Sequence, residues 1–135
     1  MTTTPIFMVL KDTWTMYLHA HAAHWNVTGE NFNDHHKFLN SLYDELWDAV
    51  DGIAEHIRAL DIMVSASVLS GTTVDPGSDW TNIQRILLED NNTVLRSLVE
   101  AFDAASSVND QGLVNFLAGR LETHAKHGWM LRASS

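Results

Sequence analysis

Four histidines lie close together in the segment HAAHWNVTGENFNDHH, which covers residues 21–36. His21 and His24 are three residues apart, so on a helix their imidazoles share one face and can offer nitrogen ligands to the same metal ion. A histidine within an apolar helix stripe is also commonly a hydrogen-bonded core residue. The pattern leaves a metal-binding role and a packing role open.

Two carboxylates, Asp51 and Glu55, are four residues apart in a second helical stretch, in line with the apolar Ile53 and Ile57. Burying an unpaired carboxylate is costly, so this placement predicts a cation, an arginine or a metal beside the pair. The alternative is a position at the edge of the apolar stripe, with water on one side. Spacing alone does not separate these two interpretations.

Composition restricts the chemistry. The 135 residues contain no cysteine, so any metal site must use His, Asp and Glu. The formal charge of −9 and the scattered basic residues argue against binding to a phosphate backbone. The chain start is unlike a signal peptide, and no apolar run approaches the roughly 18 residues of a membrane span. We therefore expect one domain, residues 1–135, in a soluble cytoplasmic protein.

The apolar spacing of three and four predicts helices and no strand. The first helix begins with Thr4 as N-cap and Pro5 at the first helical position. It ends near residues 27–29, with Gly29 in the left-handed C-cap conformation. The second helix runs from Asn33 to about Ser67.

Two further helices complete the pattern. Residues 70–79 contain Gly and Pro without periodicity and form the main connection. The third helix begins at Ser78 or Asp79 and fades in the small, polar run AASSVND, while the fourth begins at Asn109 or Asp110. The prediction is an all-α four-helix bundle with a crossover between its second and third helices.

The helix geometry limits how the candidate ligands combine. His36 and Asp51 lie on one helix, fifteen residues apart, and at the α-helical rise their separation is about 22 Å. They cannot share a metal ion within one chain. If the histidines and carboxylates form one site, a second copy must lie antiparallel, so that a two-fold dimer holds two equivalent sites.

These residues carry a family resemblance. The chain resembles the signature of the Dps miniferritins, which belong to the ferritin-like superfamily, at His24-Trp25-Asn26-Val27-Thr28-Gly29, Phe32, His36, Tyr43, Asp51 and Ala54-Glu55. The resemblance continues in the last helix, at Arg120, Glu122, His124, Lys126-His127 and Trp129-Met130-Leu131-Arg132.

The resemblance implies a ferritin-like bundle that assembles as a hollow homo-oligomer, a dodecamer, with ferroxidase centres at two-fold interfaces. His24 and His36 of one subunit and Asp51 and Glu55 of its partner would bind Fe²⁺, for which imidazole and carboxylate ligands are suitable. Hydrogen peroxide or dioxygen would oxidise the iron, and Fe³⁺ would be stored as a mineral. Such a ferroxidase protects against oxidative damage.

Two positions depart from the family pattern. His56 stands where the motif commonly has an arginine, and Asn40 stands where some members have an acidic residue that helps to hold a second iron. These changes support an alternative, a non-catalytic helical shell or a zinc-binding ferritin-like protein with a degenerate site. DNA binding is not expected, because neither chain end carries a Lys-rich tail.

The remaining polar residues have simpler expectations. His19 and His35 should face solvent, and Tyr43 should belong to the core. His124 and His127 are three residues apart on the last helix, which is compatible with an accessory metal pair, but they are assigned first to packing and subunit contact. By the family resemblance, the small helix of the crossover is reduced to one turn at residues 66–69. Two aspartates, Asp103 and Asp110, flank the turn before the last helix. By the family resemblance they would line a channel through which iron enters. The alternative is that Asp110 only caps the last helix and Asp103 only faces water.

Overall fold

The computed structural model describes all 135 residues and contains four α-helices and no strand. The helices are α1 (Thr4–Asn26), α2 (Phe32–Ala59), α3 (Trp80–Ser107) and α4 (Gln111–Ala133). One 3₁₀ turn, Ala66–Leu69, lies in the connection between α2 and α3, as predicted. The all-α four-helix bundle with this crossover is confirmed. No helix has the length and apolar character needed to cross a membrane.

A single apolar core holds the bundle together. Helix α1 packs against α2 and α3, and α3 packs against α4. The core contains 25 buried residues, mostly aliphatic. Full burial of one aliphatic side chain contributes about 1.5–3 kcal/mol. The apolar stripes therefore fix the relative positions of the polar side chains on each helix.

The starts of α3 and α4 follow from their capping aspartates. Asp79 accepts a hydrogen bond from the Asn82 backbone N–H at 3.2 Å, and Asp110 accepts one from Leu113 N–H at 3.1 Å. Each carboxylate satisfies a donor that has no partner in the first helical turn. Both predicted starts are confirmed.

The prediction for the two ends of α1 was wrong by one to two residues. Thr3 is the N-cap and makes no side-chain capping bond, so Thr4 already belongs to the helix. At the other end the C-cap is Val27, and Gly29, with φ of 118°, lies in the turn beyond it. Gly29 supplies the positive φ of the turn to α2 instead of the helix cap.

Helix α2 ends at Ala59, well before the predicted end near Ser67. The N–H groups of Leu60 and Asp61 bond to carbonyls only three residues back, and Asp61 has φ of 64°. A left-handed residue cannot continue a right-handed helix. The crossover therefore begins at residue 60.

Asp110→Ala should lower the unfolding free energy by about 1 kcal/mol, because it removes the cap of α4. Asp103→Ala is the control, since Asp103 is an exposed residue of α3 whose side chain makes no hydrogen bond. Urea unfolding compares the two variants. Equal stability of both would contradict the capping role; a channel role for either residue stays a prediction for the assembled protein.

Candidate metal centre

His24 on α1 and His36 on α2 are brought into direct contact. Their rings are stacked with centroids 3.8 Å apart and planes 16° from parallel. His24 Nδ1 donates to His36 O at 2.9 Å, and His36 Nδ1 donates to His24 O at 2.8 Å. A carbonyl oxygen only accepts, so Nδ1 of each ring carries a proton and Nε2 is the atom left to bind a metal ion. Backbone carbonyls commonly fix metal-binding imidazoles in this way.

His21 takes part in packing, and its ring meets the ring of His24 only edge-on, with centroids 6.2 Å apart. Its ring stacks on Tyr43 at 3.9 Å, and its Nδ1 is hydrogen-bonded to the Tyr17 hydroxyl at 2.7 Å. Burial and the neighbouring His24 lower the pKa of His21. Tyr43 packs against the core, as expected, and its hydroxyl donates to Asn40. Of the two roles that the sequence left open, His21 therefore has the packing role.

Asp51 and Glu55 are both exposed on α2. Neither forms a salt bridge within the chain, so the expectation of a buried pair with a cation beside it is not met in the single subunit. A hydrogen bond shared with Asp51, and the negative charge of Asp51, raise the pKa of Glu55. Asp51 and Glu55 thus form a pair of neighbouring carboxylates that is open to solvent and has no cation beside it within the chain.

The structure does not bring all four candidate ligands together in one chain. Helix α2 is continuous from Phe32 to Ala59, so His36 and Asp51 remain about 22 Å apart along it. No group of three or more His, Asp or Glu side chains converges in metal-binding geometry within the chain. The chain therefore places the two pairs of candidate ligands at different ends of α2.

The two residues that depart from the family pattern, His56 and Asn40, both form contacts within the chain. His56 Nδ1 donates to Gly52 O at 2.9 Å, and its ring stacks on Phe116 with centroids 3.7 Å apart. Asn40 donates to Asp44 Oδ2 at 3.0 Å. His56 lies on α2 directly after Glu55 without approaching its carboxylate as a hydrogen-bond donor.

The expectation that His19 and His35 face solvent was wrong, because their exposures are only 5% and 6%. His19 Nδ1 donates to Asp90 Oδ2 at 2.7 Å, and His19 Nε2 accepts from Val74 N–H at 3.1 Å. His19 thus joins α1, α3 and the crossover. His35 stacks on Trp80 at 3.8 Å. A helical signal existed for His35, which precedes the core residues Leu39 and Leu42 by four and seven positions.

Comparison with known proteins agrees with this architecture. The family description "Ferritin-like domain" matches residues 8–134. The Helicobacter pylori DNA protection during starvation protein is 26% identical, over 94% of this chain and 96% of its own length. The structure of a Vibrio cholerae O1 Dps protein, described as a member of the ferritin-like diiron-carboxylate superfamily, is 21% identical with a TM-score of 0.87 and covers 96% of this chain and 85% of its own.

A second solved structure, Microbacterium arborescens Dps in the high iron form, is 26% identical with a TM-score of 0.86. The match covers 96% of this chain and 88% of that protein. The chain belongs to the ferritin-like family. Within that family its relatives by sequence and by structure include Dps proteins, and the Dps resemblance is confirmed.

Proposed function

We propose that the protein is an iron-oxidising miniferritin, in which Fe²⁺ is the substrate at sites shared by two subunits. The observation that carries this proposal is the pair of complementary half-sites. One offers two imidazoles with free Nε2 atoms, and the other offers two carboxylates without a cation. Mixed nitrogen and carboxylate ligands suit Fe²⁺. His24, His36, Asp51 and Glu55 are the proposed ligands and catalytic residues.

Exposed tryptophans support the contact between subunits. Trp25 adjoins His24 in sequence and is 67% exposed, while Trp47 is 55% exposed. Trp47 and Asp51 line a mainly apolar surface cleft of about 430 Å³ together with Leu10 and Trp14. Exposed apolar surface of this kind marks protein contact sites. An antiparallel two-fold pairing would cover both half-sites at once.

The descriptions of the relatives and the types of the candidate ligands support iron chemistry. One relative has been solved in a high iron form, and another is described as ferritin-like and diiron-carboxylate. When hydrogen peroxide is the oxidant, two Fe²⁺ ions each give one electron, and peroxide takes up two protons to form two waters. This two-electron reduction releases no hydroxyl radical. Dioxygen is the other candidate oxidant, and Fe³⁺ would be stored inside a homo-oligomeric shell, a dodecamer in the Dps pattern.

A subunit-mixing experiment tests the shared site. One chain carries His24→Ala and His36→Ala, and the other carries Asp51→Ala and Glu55→Ala. Each pure assembly should be inactive in anaerobic oxidation of Fe²⁺ by peroxide. After joint unfolding and refolding at equal amounts, random pairing restores about a quarter of the sites, because each mixed dimer contains one intact site.

The outcome separates a shared site from a site within one chain. Recovery of about a quarter of the wild-type rate supports the shared site, and no recovery in mixed, correctly assembled protein contradicts it. The alternative of a zinc-binding, non-catalytic shell rests on Asn40 and His56. Zinc binding without iron turnover in the unmodified protein would favour that alternative. DNA binding is not proposed, given the charge of −9 per chain.

A further inference from the structure

A buried ionic network connects α2 and α4 inside the bundle. Arg120 donates to both oxygens of Glu45, at 2.5 and 3.0 Å, and its exposure is only 7%. The Nη2 atom of Arg120, which donates to Glu45 Oε1, also lies 2.6 Å from His124 Nε2. His127 Nε2 lies 2.7 Å from Glu45 Oε1. The Arg120 guanidinium therefore contacts three acceptor atoms on two residues, and a second imidazole, that of His127, contacts the same carboxylate.

The proton positions in this network follow from its chemistry. A guanidinium only donates, so His124 Nε2 is an acceptor, and His124 Nδ1 donates to Asn91 Oδ1 at 2.9 Å. His124 is thus neutral. Burial alone would raise the pKa of Glu45, but hydrogen bonds from His127 and Arg120 lower it to about 2. His127 Nε2 consequently donates to an ionised carboxylate.

The residue types around Arg120 are those of a metal site. Bundle proteins build metal centres from Glu and His side chains on facing helices. Two histidines and one glutamate with an open position are also a known zinc-binding set. In this chain Glu45 and His124 contact the guanidinium of Arg120 directly, and His127 contacts the Glu45 carboxylate. With Arg120 among them, these three side chains do not converge in metal-binding geometry.

Burial does not by itself keep ions from this position. Glu45 and His127 line an open groove of about 630 Å³ between α2 and α4, together with Lys37, Lys126 and other residues. The side chain of Glu45 remains 32% exposed. A divalent cation in solution therefore has a route to the Glu45 carboxylate, whose two oxygens are bound on the inner side by Arg120.

We propose that Arg120 is a resident cation that closes a latent metal site formed by Glu45, His124 and His127. The positive guanidinium occupies the acceptors that a metal ion needs and repels that ion. Arg120 thereby determines specificity, because it leaves the bundle interior without a divalent cation. This inference goes beyond the proposed function and does not depend on it.

Cobalt binding tests the proposal without any measurement of iron oxidation. All chains carry Asp51→Asn and Glu55→Gln, which removes the carboxylates of the proposed shared site. In this background Arg120→Met should bind one additional Co²⁺ per chain, at least 100-fold more tightly than the chain with Arg120. The visible absorption of Co²⁺ should report nitrogen and oxygen ligands. Arg120→Lys is the matched control and should stay closed, because it keeps the positive charge.

Further variants decide between the outcomes. Adding Glu45→Gln to Arg120→Met should abolish the new Co²⁺ signal. The proposal is overturned if the folded Met variant gains no Co²⁺, or if the chain with Arg120 already binds Co²⁺ in a Glu45-dependent way. If the Met variant unfolds without metal, Co²⁺ should restore its helical circular dichroism. A chain that stays unfolded at saturating Co²⁺ also contradicts the proposal.

Discussion

Glu55→Gln will lower the initial rate of Fe²⁺ oxidation by about 100-fold or more, while the unfolding free energy stays nearly unchanged. Loss of a group that only supports a metal ligand already costs about 10- to 100-fold, and Glu55 is proposed as a ligand itself. The amide keeps the shape of the side chain and loses its negative charge. Because Glu55 is exposed and unpaired with any cation, the change in stability should stay within about 0.5 kcal/mol.

Stopped-flow absorbance of Fe³⁺, after anaerobic mixing of Fe²⁺ with peroxide, measures this rate. Glu100→Gln is the matched control, since Glu100 is also an exposed helical glutamate. Both substitutions remove one negative charge per chain. A Glu55→Gln rate within twofold of the Glu100→Gln rate would show that Glu55 is not a ligand.

Local signals account for the parts of the fold that were predicted correctly. Asp79 and Asp110 each accept a hydrogen bond from the N–H group three residues further on, so their capping role can be recognised in a short segment. The end of α2 has no such signal. Apolar periodicity continues through Leu60, and the left-handed conformation of Asp61 ends the helix without a glycine.

The candidate site shows a similar division. Helix geometry already separated His36 from Asp51, and the continuous α2 keeps that separation. The reciprocal bonds between His24 and His36 join side chains on two helices, which spacing on one helix cannot reveal. The exposure of Asp51 and Glu55 depends on how the other helices pack against α2, which residue spacing along one helix does not reveal.

The network around Arg120 could not be predicted from the sequence. Its central pair, Glu45 and Arg120, is 75 residues apart, and neither residue lies in a motif that indicates the other. The spacing of the last-helix histidines favours packing and subunit contact first, with an accessory metal pair as the alternative. His124 is fully buried in the bundle, which agrees with the packing interpretation. Its hydrogen bonds with Arg120 and Asn91 could not be predicted from helical periodicity.

The buried state of His124 predicts a loss of stability on acidification. Burial, with the charges of Arg120 and His127, lowers the pKa of His124 from 6.5 to about 3, although Glu45 opposes this shift. The unfolded chain therefore binds a proton that the folded chain refuses between these pH values. The contribution of the neutral His124 to the unfolding free energy is complete above pH 6.5 and decreases by about 1 kcal/mol per pH unit below it.

Glu45 adds a second loss at lower pH. Its pKa is about 2 in the folded chain and 4.5 as the ordinary value, so its contribution is complete above pH 4.5 and is lost as the pH falls towards 2. Between pH 6.5 and 4.5, the pH dependence of stability that comes from these two residues is therefore due to His124. Over that interval it should account for a loss on the order of 2–3 kcal/mol.

His124→Gln isolates this effect, because glutamine does not titrate and can still accept a hydrogen bond from Arg120. The variant should be less stable than the unmodified chain at pH 7, since it does not reproduce the bond to Asn91. Between pH 6.5 and 4.5 the unfolding free energy of the variant should fall less steeply than that of the unmodified chain. The difference between the two slopes should correspond to about one proton per chain. Urea unfolding at fixed protein concentration and ionic strength gives both slopes. Parallel slopes would mean that His124 is protonated equally in the folded and unfolded chains, and the buried neutral imidazole would then be wrong.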